Sequence, residues 1–217
     1  MRPLGIFGGM FDPIHYGHLR AAFELGVILD LEKVLFVPAA DPPHRDRPLA
    51  DAASRLAMVR AAIADEPRFA VDDQEVRRGG RSYTVLTLEA LRKEHGQRPL
   101  VLMLGADALA GLAGWYRWRE LPALVHLAIA NRPGVRLPVE GELGAMLGAR
   151  RERDLRRFAT EPAGRVYVHD GVGLDVSSTD AREALCAGRD PRYLMPEPVR
   201  RMILDKGIYA RPGATEG

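Results

Sequence analysis

Short apolar runs alternate with segments of helical periodicity along the whole chain. The strongest run covers residues 100–104 and is unbroken, as in a strand at the centre of a sheet. Further strands are predicted at residues 4–8, 34–37, 69–76, 126–130 and 165–169. Helices are predicted at residues 18–31, 52–64, 84–95, 115–124, 140–158, 177–187 and 198–206. This alternation predicts an α/β fold, a doubly wound parallel sheet with helices on both faces.

Composition favours one compact domain. The chain has 217 residues, of which 47% are hydrophobic and 28% charged. We expect a single domain over residues 1–212, with a C-terminal helical part at about 177–210 and a frayed end at 213–217. A formal net charge of +2 is too small to indicate a nucleic-acid-binding surface. The single cysteine excludes an intrachain disulfide and a thiolate metal site.

No apolar run approaches the ~20 residues of a membrane span. The first nine residues are too short and too glycine-rich for a signal peptide. We therefore expect a cytoplasmic protein that does not bind membranes.

The stretch between the first strand and the first helix, residues 8–18, carries the clearest functional signal. Doubly wound sheets bind ligands where strands end and helices begin. Gly8 and Gly9 would let the backbone approach a ligand closely, and the following helix start favours a polyphosphate. His15 and His18 are three residues apart, so they can face one side and donate to a phosphate. Capping, packing or a metal pair are the alternatives for these histidines.

A second segment opens the helix predicted at residues 177–187. Hydroxyls at a first helical turn can cap the helix or bind phosphate oxygens. Ser177, Ser178 and Thr179 are in this position, and Arg182 follows four residues after Ser178. Taken alone, the segment is more typical of an ordinary helix cap followed by a surface arginine.

Together, the two segments resemble the nucleotidyltransferase superfamily with the His-x-Gly-His signature, here residues 15–18 after Gly-Gly-x-Phe-Asp-Pro. The resemblance implies a Rossmann-like fold in which the two histidines and Arg182 serve catalysis at the ATP phosphates. It implies an ATP site that includes Gly8, Gly9, Phe11, Gly105, Asp107, Ser177, Ser178 and Thr179. Within this set, Asp107 would accept bonds from the ribose hydroxyls.

The remaining loops resemble the bacterial nicotinate-nucleotide adenylyltransferases. Pro-Pro-His-Arg at 42–45 is similar to a Pro-Pro-His-Lys loop of that family, with arginine in place of lysine. Trp115 would stack on the nicotinate ring, whose carboxylate would bind the backbone of Thr84 and Tyr116, while Trp118 would be structural. The implied acceptor-binding residues are His44, Arg45, Thr84, Trp115, Tyr116 and Arg132.

The resemblance implies transfer of AMP from ATP to nicotinate mononucleotide, a step of NAD biosynthesis. Mg²⁺ would accompany ATP, with no metal site built from the protein. Two rival interpretations stay open: an adenylyltransferase for nicotinamide mononucleotide or another phosphate acceptor, and a nucleotide-binding regulator without turnover. A nucleic-acid-binding module is disfavoured, and the sequence is compatible with a monomer or a homodimer.

Overall fold

The structure is a computed structural model that describes residues 1–42, 48–131, 137, 140–171 and 174–210. Within these residues, six strands form one parallel sheet in the order β3-β2-β1-β4-β5-β6. The strands are β1 (Leu4–Gly9), β2 (Lys33–Pro38), β3 (Phe69–Val71), β4 (Leu100–Gly105), β5 (His126–Asn131) and β6 (Val166–Asp170). The predicted fold class is confirmed. The order reverses between β1 and β4, which is where such sheets bind ligands.

Helices connect the strands on both faces of the sheet. They are α1 (Tyr16–Ile28), α2 (Ala52–Ala62), α3 (Gln74–Arg78), α4 (Thr84–His95), α5 (Ala106–Ala110), α6 (Leu121–Leu124), α7 (Gly141–Arg150), α8 (Arg157–Thr160), α9 (Ser178–Cys186) and α10 (Glu197–Asp205). Short 3₁₀ helices cover Leu112–Gly114 and Trp118–Glu120. In the described parts of the chain, no helix has both the length and the apolar character needed to cross a bilayer.

Two apolar cores lie on opposite faces of the sheet, because neighbouring strand residues point to opposite sides. On β4, Val101 and Met103 join the core that packs on α1, α2, α9 and α10, whereas Leu102 and Leu104 join the other core. The second core packs on α4, α5, α6 and α7. The cores hold the strand ends in place and leave polar residues at the carboxyl edge.

Several predicted boundaries were wrong for local reasons. The third strand was expected to reach residue 76, but residues 74–78 form α3, because the Asp72 carboxylate accepts the Gln74 N–H at 3.0 Å. The helix predicted at 115–124 begins later, since Arg117 adopts φ 54°, which interrupts it. The helix predicted at 140–158 is divided, because residue 152 donates its backbone N–H to Val166 at the sheet edge. The predicted frayed end lies outside the described residues.

Candidate active site

A cleft of about 430 Å³ opens at the carboxyl edge of the sheet, between β1, β4 and β5 and the first turns of α1 and α9. It gathers residues that the sequence places far apart. The predicted site residues that line it are Gly8, Gly9, Phe11, His15, His18, Thr84, Gly105, Asp107, Trp115, Tyr116, Ser177, Ser178, Thr179 and Arg182. His44, Arg45 and Arg132 lie outside the described residues.

The two glycines after β1 have different roles. A Cβ on Gly8 would meet no atom within 4 Å, so its backbone faces open space where a ligand can approach. A Cβ on Gly9 would lie 2.9 Å from the Phe11 ring. Gly9 therefore makes room for a buried phenyl ring, and it lines the cleft beside Gly8. Phe11, at φ 50°, in turn packs edge-on against His18, with ring centroids 5.2 Å apart.

The two imidazoles of the signature lie against each other at the start of α1. The ring centroids of His15 and His18 are 3.7 Å apart, and His15 is only 6% exposed. The His15 backbone N–H donates to Nδ1 of His18 at 3.3 Å. A neutral His18 ring that accepts at Nδ1 carries its proton on Nε2, so this bond assigns a donor to that nitrogen. Both rings line the cleft next to the positive end of a helix.

Gly17, between the two histidines, is required by space. A Cβ at this position would lie 2.9 Å from both Cε1 and Nδ1 of His15 and 3.1 Å from the Val176 carbonyl oxygen. Any larger residue would push the imidazole or the strand-to-helix connection that leads into Ser177. The glycine of the signature therefore lets the two signature segments approach each other.

The second segment contacts the first directly. Ser177 caps α9, because its Oγ accepts the Asp180 N–H at 3.1 Å. The Ser178 hydroxyl donates to the Pro13 carbonyl at 2.9 Å. Arg182 donates to the Asp12 carbonyl at 2.7 Å and to Thr179 Oγ1 at 3.2 Å. In this structure the three hydroxyls bind protein groups, and their residues line the cleft together with the Arg182 guanidinium at the start of α9.

Asp12 anchors the turn after β1 from within. Its side chain is 3% exposed and accepts the backbone N–H groups of Leu49 at 2.9 Å and Ala50 at 3.1 Å. The Tyr209 hydroxyl donates to the same carboxylate at 2.7 Å. Three donors compensate for the burial of a charged group that would otherwise be costly.

A buried arginine supports the same turn. Arg55 is 1% exposed and donates to the carbonyls of Met10 at 2.7 Å and Ala40 at 2.9 Å. Burial lowers the pKa of Arg55, and the nearby Asp12 charge partly opposes that shift. The sequence analysis missed Arg55. Its position three residues before Met58, which is buried in α2, was the signal that could have identified it.

Aromatic side chains also line the cleft. Trp115 and Tyr116 lie between the two 3₁₀ helices, and the Tyr116 ring lies 4.7 Å from that of Tyr83. Arg117 fixes this loop through a 2.7 Å bond to Glu89 of α4. Tyr116 is therefore not at a helix start, contrary to expectation. Thr84 is, since it is the first residue of α4.

Trp118 is 5% exposed in the second core, which agrees with its predicted structural role.

Polar residues on α1 that the sequence analysis missed continue the cleft beyond the histidines. After Gly17 of the signature, Arg20 and Glu24 line it at intervals of three and four residues, the spacing of one helix face. Arg20 forms an ion pair with Glu24 at 2.6 Å, and Glu24 lies 3.3 Å from Nε2 of His169, a residue of β6. That periodicity, with charged residues in place of apolar ones, could have identified this face.

Comparisons with known proteins agree with this geometry. A family model described as cytidylyltransferase-like matches residues 6–184. A "Probable nicotinate-nucleotide adenylyltransferase" from Marinobacter nauticus is 45% identical over 209 residues, covering 95% of this chain and 97% of the relative. One of the same name from Halorhodospira halophila is 42% identical over 212 residues, covering 98% of this chain and 97% of the relative.

A solved structure shares the fold. It is that of Plasmodium falciparum nicotinic acid mononucleotide adenylyltransferase complexed with NaAD, with a TM-score of 0.74 at 16% identity, covering 96% of this chain and 98% of that one. The sheet and the matching family model thus define the class, a cytidylyltransferase-like nucleotidyltransferase. Within that class, the chain belongs to the nicotinate-nucleotide adenylyltransferase family.

Proposed function

We propose that this chain transfers the AMP group of ATP to the 5′-phosphate of nicotinate mononucleotide, releasing pyrophosphate and nicotinate adenine dinucleotide. One observation carries the proposal: two imidazoles, a guanidinium and two helix starts meet in one cleft that aromatic side chains also line. Such donors suit a triphosphate. Aromatic rings suit a flat pyridine.

The reaction needs alignment and charge stabilisation more than proton transfer. An oxygen of the acceptor phosphate forms a bond to the α-phosphorus of ATP, and the bond from that phosphorus to the bridging oxygen of pyrophosphate breaks. The acceptor phosphate is already anionic near neutral pH, since its second pKa is about 6. It needs no side-chain base, so catalysis rests on positioning and on donors to the phosphate oxygens.

His18 is the donor best defined by its surroundings. Its Nδ1 accepts from the His15 backbone at 3.3 Å, so its proton lies on Nε2, the nitrogen that we assign as donor to a phosphate oxygen. Arg182, fixed by the Asp12 carbonyl at 2.7 Å, is positioned to offset charge on the leaving pyrophosphate. Loss of one such donor costs about 2.7–4 kcal/mol in the transition state, by analogy with oxyanion donors.

The acceptor nucleotide would bind next to the aromatic side chains of the cleft. We assign its pyridine ring to Trp115 and its carboxylate to the backbone N–H groups of Thr84 and Tyr116. The start of α4 at Thr84 supports this assignment, because the first amides of a helix have no partner inside it and favour an anion. An anion-binding pocket favours the acid nucleotide over the neutral amide.

Mg²⁺ would enter with the triphosphate. Among the residues that the structure describes, no group of three histidine, cysteine, aspartate or glutamate side chains is placed to hold a metal ion. Mg²⁺ commonly binds through substrate phosphates and water with few protein ligands, which fits this donor set.

Transfer of label from ATP labelled at the α-phosphorus tests the proposal. With nicotinate mononucleotide, the label should appear in the dinucleotide, with one unlabelled pyrophosphate per transfer. The same assay with the amide nucleotide should give kcat/KM lower by roughly tenfold or more. The amide has no carboxylate, so the backbone N–H donors of the proposed pocket would be left without their anion. Equal or higher kcat/KM with the amide would favour the rival acceptor. Absence of pyrophosphate with either substrate would favour a non-catalytic regulator.

A further inference from the structure

We infer that Tyr209, far from the reacting groups in sequence, is a positioning residue that holds the two phosphate-binding segments in register. The inference rests on the proposed function for its catalytic consequence. Tyr209 follows α10 and is 8% exposed, in a segment outside both sequence signatures. Its two polar groups bind different segments of the site.

The hydroxyl of Tyr209 binds the first segment. It donates to Asp12 Oδ1 at 2.7 Å across 197 residues of chain. Burial, and secondarily the Asp12 charge, raises the pKa of Tyr209, so the hydroxyl keeps its proton and stays a donor. The carboxylate that receives it is 3% exposed, so water cannot readily replace the lost bond.

The carbonyl of Tyr209 binds the second segment. It accepts the Cys186 thiol at 3.3 Å, and Cys186 is one helical turn after Arg182 on α9. Arg182 closes a ring of contacts by donating to the Asp12 carbonyl at 2.7 Å. Asp12, Arg182, Cys186 and Tyr209 therefore form a closed circuit around the turn that carries the histidines.

Such a circuit has a specific consequence. Removing the Tyr209 hydroxyl leaves the buried Asp12 carboxylate short of one hydrogen-bond donor. The turn that carries Asp12 can then shift until the carboxylate meets another donor. Arg182 binds the backbone of that same residue, so its guanidinium would move with it. A displacement of a fraction of an ångström at a phosphate donor lowers turnover. The proposed acceptor pocket, formed by Thr84, Trp115 and Tyr116, stays intact.

Tyr209→Phe removes one oxygen and tests the circuit. We expect kcat to fall roughly tenfold, with the KM for nicotinate mononucleotide unchanged within about twofold. Tyr193→Phe is the matched control, because both tyrosines have a positive φ, 70° at Tyr209 and 66° at Tyr193, whereas Tyr193 is 83% exposed. It should retain wild-type kcat. Circular dichroism and a thermal melt fix an assay temperature at which each variant is folded.

A double-mutant cycle with Arg182→Ala separates positioning from general loss of structure. Affinity for α,β-methylene-ATP, measured by calorimetry, needs no turnover. Tyr209→Phe should weaken it by roughly fivefold in the wild-type background and by less than about twofold when Arg182 is absent. Equal losses in both backgrounds, or unchanged kcat in the single variant, would overturn the inference. A wild type that binds the analogue without transferring AMP would refute the proposed function and leave this cycle valid.

Discussion

Gly17→Ala should lower turnover by about a hundredfold while the protein stays folded. The added methyl would lie 2.9 Å from two atoms of the His15 ring, about 0.6 Å inside an ordinary carbon–carbon contact of roughly 3.5 Å. The ring cannot move away freely, since His18 lies 3.7 Å from it and His15 is 6% exposed. On the other side, the Val176 carbonyl is 3.1 Å from the new methyl.

The loss of stability and the loss of kcat have separate causes in this variant. Overpacking costs about 1–3 kcal/mol of stability, and replacing glycine by alanine in a helix returns up to about 1 kcal/mol. The net loss of stability should therefore not exceed about 3 kcal/mol. Displacement of a phosphate donor by up to 1 Å can lower kcat by about a hundredfold. Chemical denaturation and steady-state pyrophosphate release measure the two quantities.

Gly26→Ala on the same helix is the control. Its Cβ would meet only Val34 Cγ2, at 3.5 Å, which is an ordinary contact. We expect equal or higher stability and unchanged kcat, from the helix propensity of alanine. Wild-type kcat in Gly17→Ala would refute the reasoning, because it would mean that the position of the His15 ring does not matter for catalysis.

Three further predictions concern single side chains. His18→Ala should lower kcat by about 10²–10³ with an unchanged circular dichroism spectrum, and near-normal turnover would contradict its assignment as a phosphate donor. Trp115→Ala should raise the KM for nicotinate mononucleotide more than the KM for ATP, and an effect confined to ATP would reverse the assignment of Trp115 to the acceptor. Burial lowers the pKa of His126, whose Nε2 lies 2.7 Å from the Glu161 carbonyl, so stability should be complete above about pH 6.5 and fall towards the lower folded-state pKa by up to about 1.4 kcal/mol per pH unit. Denaturation of wild type and His126→Asn across this range measures the effect, and a pH dependence shared by both would exclude His126 as its source.

The sheet was predictable because its physical signals are local. A strand buried on both faces, such as β4, must be apolar at nearly every position, so the run at 100–104 was visible without any knowledge of its neighbours. The boundaries failed where a single contact decided them. The Asp72 carboxylate accepts the Gln74 N–H where α3 begins after β3. The left-handed backbone of Arg117 makes the next predicted helix begin later.

The residues that hold the site in place were less predictable than the residues that line it. His15, His18 and Arg182 stand in short patterns whose chemistry is visible in the sequence, and the structure places them in one cleft. Asp12 and Tyr209 are joined by one hydrogen bond across 197 residues, and no local pattern reports such a pair. Residues that contact a ligand can thus be proposed from the sequence, whereas residues that hold them in place require the fold.

A crystal structure with an unreactive ATP analogue would test the central claim most directly. The account predicts the phosphate chain between the start of α1 and the start of α9, with oxygens about 2.7–3.2 Å from His18 Nε2 and from the Arg182 guanidinium. A phosphate chain bound elsewhere, with both imidazoles contacting protein atoms alone, would contradict it.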